Sequence, residues 1–272
     1  MTAWSLTQVH SSAQGDVRWD SFGSGPPVVL MHGTPFSSFV WREIAPALAH
    51  HHTVYVWDMS GYGSSEMRRG QDVSLASQAA VFADLVASWR LDSPAVVAHD
   101  FGGTVALRAH LLHGVAYERL ALVDAVAHAP WGTGLFRLVR EHPDVLEQLP
   151  PALHEGLMRA YIQSASHRCL AESALAAYVS PWTGVKGQAA LYRQMAQNGE
   201  RFTDEVEGRY GEIELPVLVC WGTEDTWLDP SKGEQLAAAI PGAELRWLEG
   251  AGHLVQEDAP AQLTAALLEF LC

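Results

Sequence analysis

The sequence predicts an α/β fold with a mostly parallel central sheet flanked by helices on both faces. Three observations lead there: short β-branched runs ended by Gly, Ser or Asp recur, a longer stretch of helical spacing follows each, and one long interval holds no strand. Runs that are apolar throughout suit strands buried on both faces. Their regular alternation with helical stretches is the pattern of a covered parallel sheet.

Six strands are expected, in "PVVLMHG" (27 to 33), "TVYVWDMSG" (53 to 61), "PAVVAHDFGG" (94 to 103), "RLALVDAV" (119 to 126), "PVLVCWG" (216 to 222) and "AELRWLEG" (243 to 250). Helical spacing predicts helices over 72–90, 103–113, 231–239 and 259–271. The interval 128–212 breaks the alternation with Pro- and Gly-marked turns ("HPD", "LPPALHEG", "SPWTGVKG") and reads as an inserted helical cap. The organisation expected is a core over 1–127, a cap over 128–212 and a resumed core over 213–272.

Composition bounds the partners. A chain of 272 residues with 48% apolar content can bury a substantial core. Its formal charge of −14, from 31 acidic against 17 basic residues, argues against nucleic acid or anionic membrane as partners. Cys169, Cys220 and Cys272 are too widely spaced for a metal knuckle or disulfide framework. The stretch "MTAWSLTQVHSSAQGD" lacks a basic segment followed by an apolar run, so an unexported cytoplasmic protein is the expectation. The run "HHH" at 50–52 reads as an exposed turn, because consecutive residues do not face one site on a helix or strand.

The chemistry concentrates in "VVAHDFGG", where an apolar strand meets Asp100, Gly102 and Gly103 and then a helix. This is the layout of a nucleophile elbow, whose sharp turn needs small neighbours so that the central side chain stands exposed above the sheet. The central side chain is a carboxylate. The N-terminus of the following helix would help keep it ionised.

"HGTP" (32 to 35), "DMSGYGSS" (58 to 65), "HDFGG" (99 to 103), "GTED" (222 to 225) and "GAGHLVQEDAP" (250 to 260) occur in the order found in α/β-hydrolases, and nearly the whole chain resembles that family. The resemblance implies the α/β-hydrolase fold with an inserted helical cap. The aspartate elbow is similar to that of the branch holding epoxide hydrolases and haloalkane or haloacetate dehalogenases, closest to epoxide hydrolases. By position, His253 resembles the catalytic histidine and Asp225 its orienting acid, with Glu224, Asp229 and Asp124 as competitors for the acid.

A serine alkoxide suits attack on a carbonyl, whereas a carboxylate attacking a saturated carbon with a leaving group gives an ordinary ester. Asp100 therefore asks for an electrophilic sp³ carbon. His253, oriented by Asp225, would then draw a proton from water attacking that ester. The backbone N–H groups of Thr34 and Phe101 are the expected oxyanion donors, with Pro35 and His32 ordering the loop. None of these steps requires a metal or organic cofactor.

The cap bears on the leaving group. An opening epoxide needs a proton donor, a role tyrosine fills without bringing a full charge into an apolar pocket. "RAYIQ" and "YVSPWTGVKGQAALYRQM" resemble the two cap segments that carry acid tyrosines in epoxide hydrolases, which places those roles at Tyr161 and Tyr192, with Tyr178 in reserve. Haloalkane dehalogenases carry an indole N–H after the nucleophile and an amide after "HG"; Phe101 and Thr34 stand there, leaving Trp131 or Trp182 as substitutes. Haloacetate dehalogenases use arginines just after the nucleophile, and the nearest here is Arg108. With Trp131, Trp182, Phe136 and several tyrosines in the cap, the expected substrate is a small molecule carrying an apolar, bulky epoxide, or alternatively a carbon–halogen bond. A non-hydrolytic ligand-binding or cyclising relative is the alternative from another class.

Overall fold

The computed structural model describes residues 4–272. Eight strands form one sheet: β1 (Gln8–Ser12), β2 (Gly15–Gly23), β3 (Pro27–Met31), β4 (Thr53–Trp57), β5 (Ala95–His99), β6 (Leu120–Val123), β7 (Val217–Gly222) and β8 (Glu244–Leu248), in the order β1-β2-β4-β3-β5-β6-β7-β8. Strands β3 to β8 pair in parallel, and they are the six read from the sequence. The first two strands pair antiparallel at one edge and went unpredicted. Their mostly half-exposed residues alternate in polarity, as one-sided antiparallel strands do, instead of running apolar throughout.

Among the described residues, twelve α-helices accompany the sheet. In the core they are α1 (Ala45–Leu48), α2 (Leu75–Ser88) and α3 (Phe101–His113). Between β6 and β7 come α4 (Gly134–Glu141), α5 (Pro143–Leu146), α6 (Pro151–Gln163), α7 (Glu172–Val179), α8 (Gly184–Gln197) and α9 (Arg201–Glu207), with no strand among them. The core resumes with α10 (Ser231–Ala239), α11 (Val255–Asp258) and α12 (Pro260–Leu271). Among the described residues no helix is long and apolar enough to cross a membrane.

Register places the chemistry. Met31 pairs with Ala98, His99 with Val123, and Val123 with Cys220, so the carboxyl ends of β3, β5, β6 and β7 finish level. Residues 34, 100, 124 and 225 leave the sheet at that common edge, the position where parallel α/β sheets bind ligands. The helical segment α4 to α9 sits over this edge and is tied to it by specific bonds. Trp182 Nε1 donates to the Pro35 carbonyl at 2.6 Å, Tyr62 Oη to Gln194 Oε1 at 2.8 Å, and Leu75 N to Asn198 Oδ1 at 2.8 Å. In the "HHH" run His50 and His51 are exposed as expected, but His52 is buried with Nδ1 turned to the Pro26 carbonyl.

Candidate active site

Asp100 stands at the turn between β5 and α3 with φ 52° and ψ −118°, a left-handed conformation that strains any residue with a Cβ. The turn is tight because α3 starts directly under β3. A Cβ on Gly102 would lie 2.8 Å from the His32 carbonyl oxygen, so only glycine lets the helix begin there. The strain raises the carboxylate above the sheet. Thr34 N donates to its Oδ1 at 2.6 Å, and the neighbouring Phe101 N–H favours its charged form. One of the two N–H groups expected to receive an oxyanion, that of Thr34, thus already holds Asp100.

The other oxygen, Oδ2, lies 3.3 Å from His253 Nε2. His253 Nδ1 donates to Asp225 Oδ2 at 2.9 Å, while Asp225 Oδ1 accepts from the N–H groups of Trp227 and Leu228 at 2.8 and 2.9 Å. All three side chains are buried. Burial opposes the charge on Asp100, but the hydrogen bond and charge of His253, with the Phe101 N–H, outweigh it and hold the carboxyl below its ordinary range. Burial likewise opposes a charged His253, and the Asp225 charge with the bonds to both carboxylates outweighs it, holding the imidazole protonated well above its usual range.

Two further histidines order this centre. Met59 N donates to His32 Nε2 at 2.9 Å, so Nδ1 carries the proton and donates to the Gly33 carbonyl, which fixes the loop before Thr34. His99 Nε2 donates to the His253 carbonyl at 3.0 Å, and burial pushes its pKa down to about 3, so it is neutral. No motif flagged His99 as a support for His253. Its position at the end of β5, facing the loop after β8, is what gives it that task.

Asp100 opens onto a small cavity lined by Thr34, Phe101, Trp131, Phe136, Tyr161 and Trp227, with about 20 Å³ of room, enough for one water. The lining is apolar, as expected, but compact where the sequence had indicated a bulky substrate. Phe101 meets Trp131 and Phe136 edge to face at 5.5 and 5.8 Å. Trp227, which no motif singled out, stacks between Tyr161 at 4.4 Å and His253 at 5.2 Å. Tyr161 accepts a hydrogen bond from Thr133 Oγ1 at 3.2 Å, which leaves the phenol proton free. Burial pushes that phenol well above its usual range, so it stays protonated.

Of the other residues singled out by the sequence, Tyr192, Tyr178, Trp182 and Arg108 do not line this cavity. Tyr192 Oη pairs with His154 Nδ1 at 2.8 Å, away from Asp100, so the expected pair of tyrosines is not assembled. Tyr178 Oη donates to Glu257 at 2.5 Å beside Arg42, joining α7 to α11. The indole N–H of Trp182 is taken by Pro35, and that of Trp131 donates to Thr203 Oγ1 at 3.0 Å. Neither indole is free for a ligand. Arg108 is bonded to the Phe202 carbonyl and Glu205.

Comparison with known proteins agrees with this fold. A solved structure of an alpha/beta hydrolase fold protein from Burkholderia ambifaria superposes with a TM-score of 0.95 at 43% identity, over 98% of both chains. Haloalkane dehalogenase 2 of Mycobacterium tuberculosis is 28% identical over 95% of this chain and 92% of its own length. Epoxide hydrolase A of the same organism is 30% identical over 90% of each. The family model described as alpha/beta hydrolase fold matches residues 26–260, the span that carries the strand-end residues described above. The chain therefore belongs to the alpha/beta hydrolase fold family.

Proposed function

We propose that the protein hydrolyses an epoxide to a vicinal diol through an ester on Asp100. The observation that carries this reading is the free phenol proton of Tyr161 in the cavity that Asp100 faces, where the lining indole N–H groups are engaged elsewhere: Trp131 with Thr203, Trp227 with Ser164. A departing alkoxide finds a proton donor there. A departing halide finds no free indole.

Asp100 Oδ2, the oxygen not held by Thr34, attacks a ring carbon as the carbon–oxygen bond breaks, and the ring oxygen takes the Tyr161 proton. Esterification removes the charge on Asp100 that helped keep His253 protonated, so the imidazole surrenders its proton and restores the phenol. Neutral His253 then takes a proton from water adding to the ester carbonyl, whose oxygen, Oδ1, already sits against the Thr34 N–H. Collapse expels the diol oxygen, which takes the proton from His253. The second proton of that water passes from Asp100 back to His253, and both groups regain their starting charge.

The close lining favours a compact epoxide; a larger one requires the helical segment to part from the sheet. The test is His253→Gln exposed to panels of epoxides and alkyl halides, read by intact mass and peptide mapping. An adduct on Asp100 with epoxides is expected. Adducts with halides alone would assign a dehalogenase, and a folded variant with no adduct would overturn the covalent route.

A further inference from the structure

Asp124 is a second buried carboxyl beside the site, at the end of β6. It is fully buried, sits at a φ of 41° and accepts one hydrogen bond, from Gly222 N to Oδ1 at 2.8 Å. Its Oδ2 is equally buried and has no partner. Asp124, Asp225 and His253 each bring a polar atom within 4.8 Å of the others. Two neighbouring carboxylates out of contact with water do not both stay ionised.

The hydrogen bonds decide which one keeps the charge. Asp225 receives three N–H donors, from Trp227, Leu228 and His253, whereas Asp124 receives one. We infer that Asp124 is a carboxylic acid, and that its Oδ2 proton is donated to Asp225, so that a chain Asp124–Asp225–His253 backs the proposed base. This proton gives the buried, otherwise unpartnered Asp124 Oδ2 a hydrogen bond. Burial and the charge of Asp225 both push Asp124 well above the carboxylate range, with His253 opposing. The remaining titratable neighbour, Cys220, is a neutral thiol pushed up to about 12.

Asp124 is thus a positioning residue for the hydrolase reading proposed above. By drawing on the charge of Asp225, its hydrogen bond loosens the hold of that carboxylate on the His253 proton. The acid–acid contact itself is testable without any substrate. Infrared spectra of wild-type protein at neutral pH, with aspartate labelled at the side-chain carboxyl carbon, should show a protonated-carboxyl band that moves with the label and is missing from Asp124→Asn. Absence of that band in the wild type overturns the inference.

Kinetics add a second readout. Asn donates the same hydrogen bond, so Asp124→Asn should keep turnover within about threefold, while Asp124→Leu, which cannot donate, should move the acid limb of the ester-hydrolysis step to higher pH. A folded Asp124→Asn as inactive as Asp225→Asn would mean that Asp124 acts as an anion, and the inference fails. If no ester forms on Asp100 with any substrate, the function proposed above falls while the infrared band still decides this one.

Discussion

Thr34 N–H donates to Asp100 Oδ1 at 2.6 Å, so one oxygen of the proposed nucleophile occupies the oxyanion site before any substrate arrives. That bond distinguishes the two oxygens: in the proposed reaction Oδ2 forms the new bond, and Oδ1 becomes the ester carbonyl oxygen. The first turnover should therefore deliver an aspartate oxygen to the product. In water enriched in heavy oxygen, a single turnover should label Asp100 and leave the diol unlabelled, as read by peptide and product mass spectrometry. Label appearing directly in the first diol would show that water attacks the substrate itself.

Tyr161 and Tyr192 separate cleanly as tests of ring opening. Tyr161 lines the cavity with its proton free, and Tyr192 is bonded to His154. Removing a general acid costs on the order of 10² to 10⁴ in rate, so Tyr161→Phe should slow Asp100 alkylation by an epoxide within that range while leaving alkylation by an alkyl iodide unchanged. Tyr192→Phe should stay close to wild type for both. Stopped quench with mass detection of the ester reads the step directly.

The constellation that the sequence made legible is the part fixed by strand ends. Thr34, Asp100 and Asp225 each follow a buried apolar run closely, and parallel register brings such residues to one edge whatever the side chains beyond them do. Tyr192 follows no such rule: the direction of its hydroxyl depends on how α8 is rotated and on a partner, His154, from α6. The stacking of Trp227 and the neutral support from His99 likewise come from loops meeting across the sheet edge, which sequence spacing does not encode. The size of the cavity was illegible for the same reason, since aromatic residues in the cap fill space as readily as they line it.

His99 carries a stability prediction. Its folded pKa, pushed down to about 3, lies below the roughly 6.5 of an unfolded histidine, so below neutrality the unfolded chain binds a proton that the folded chain refuses. Its contribution is intact above about pH 6.5 and is lost as pH falls from there toward 3, at up to about 1.4 kcal/mol per pH unit. His99→Gln, which can still donate to the His253 carbonyl, should flatten the fall of the urea midpoint between about pH 6 and 4 by one proton's worth. Equal slopes in the two proteins would show that His99 is charged or solvated in the folded state.

Phe136 sets the size of the cavity. It is 2% exposed, comes from α4 and packs its ring on Phe101 and Trp131 at 5.8 and 5.6 Å. Truncating a buried phenylalanine to alanine costs about 3 to 5 kcal/mol, because the freed volume only partly collapses. Phe136→Ala should lower stability by that amount and enlarge the room beside Asp100. The same change should raise the rate of Asp100 alkylation by bulky epoxides relative to compact ones. A substrate profile unchanged by Phe136→Ala, in a variant that remains folded, would mean that ligands enter by displacing the whole helical segment, and that the closed cavity does not select among them.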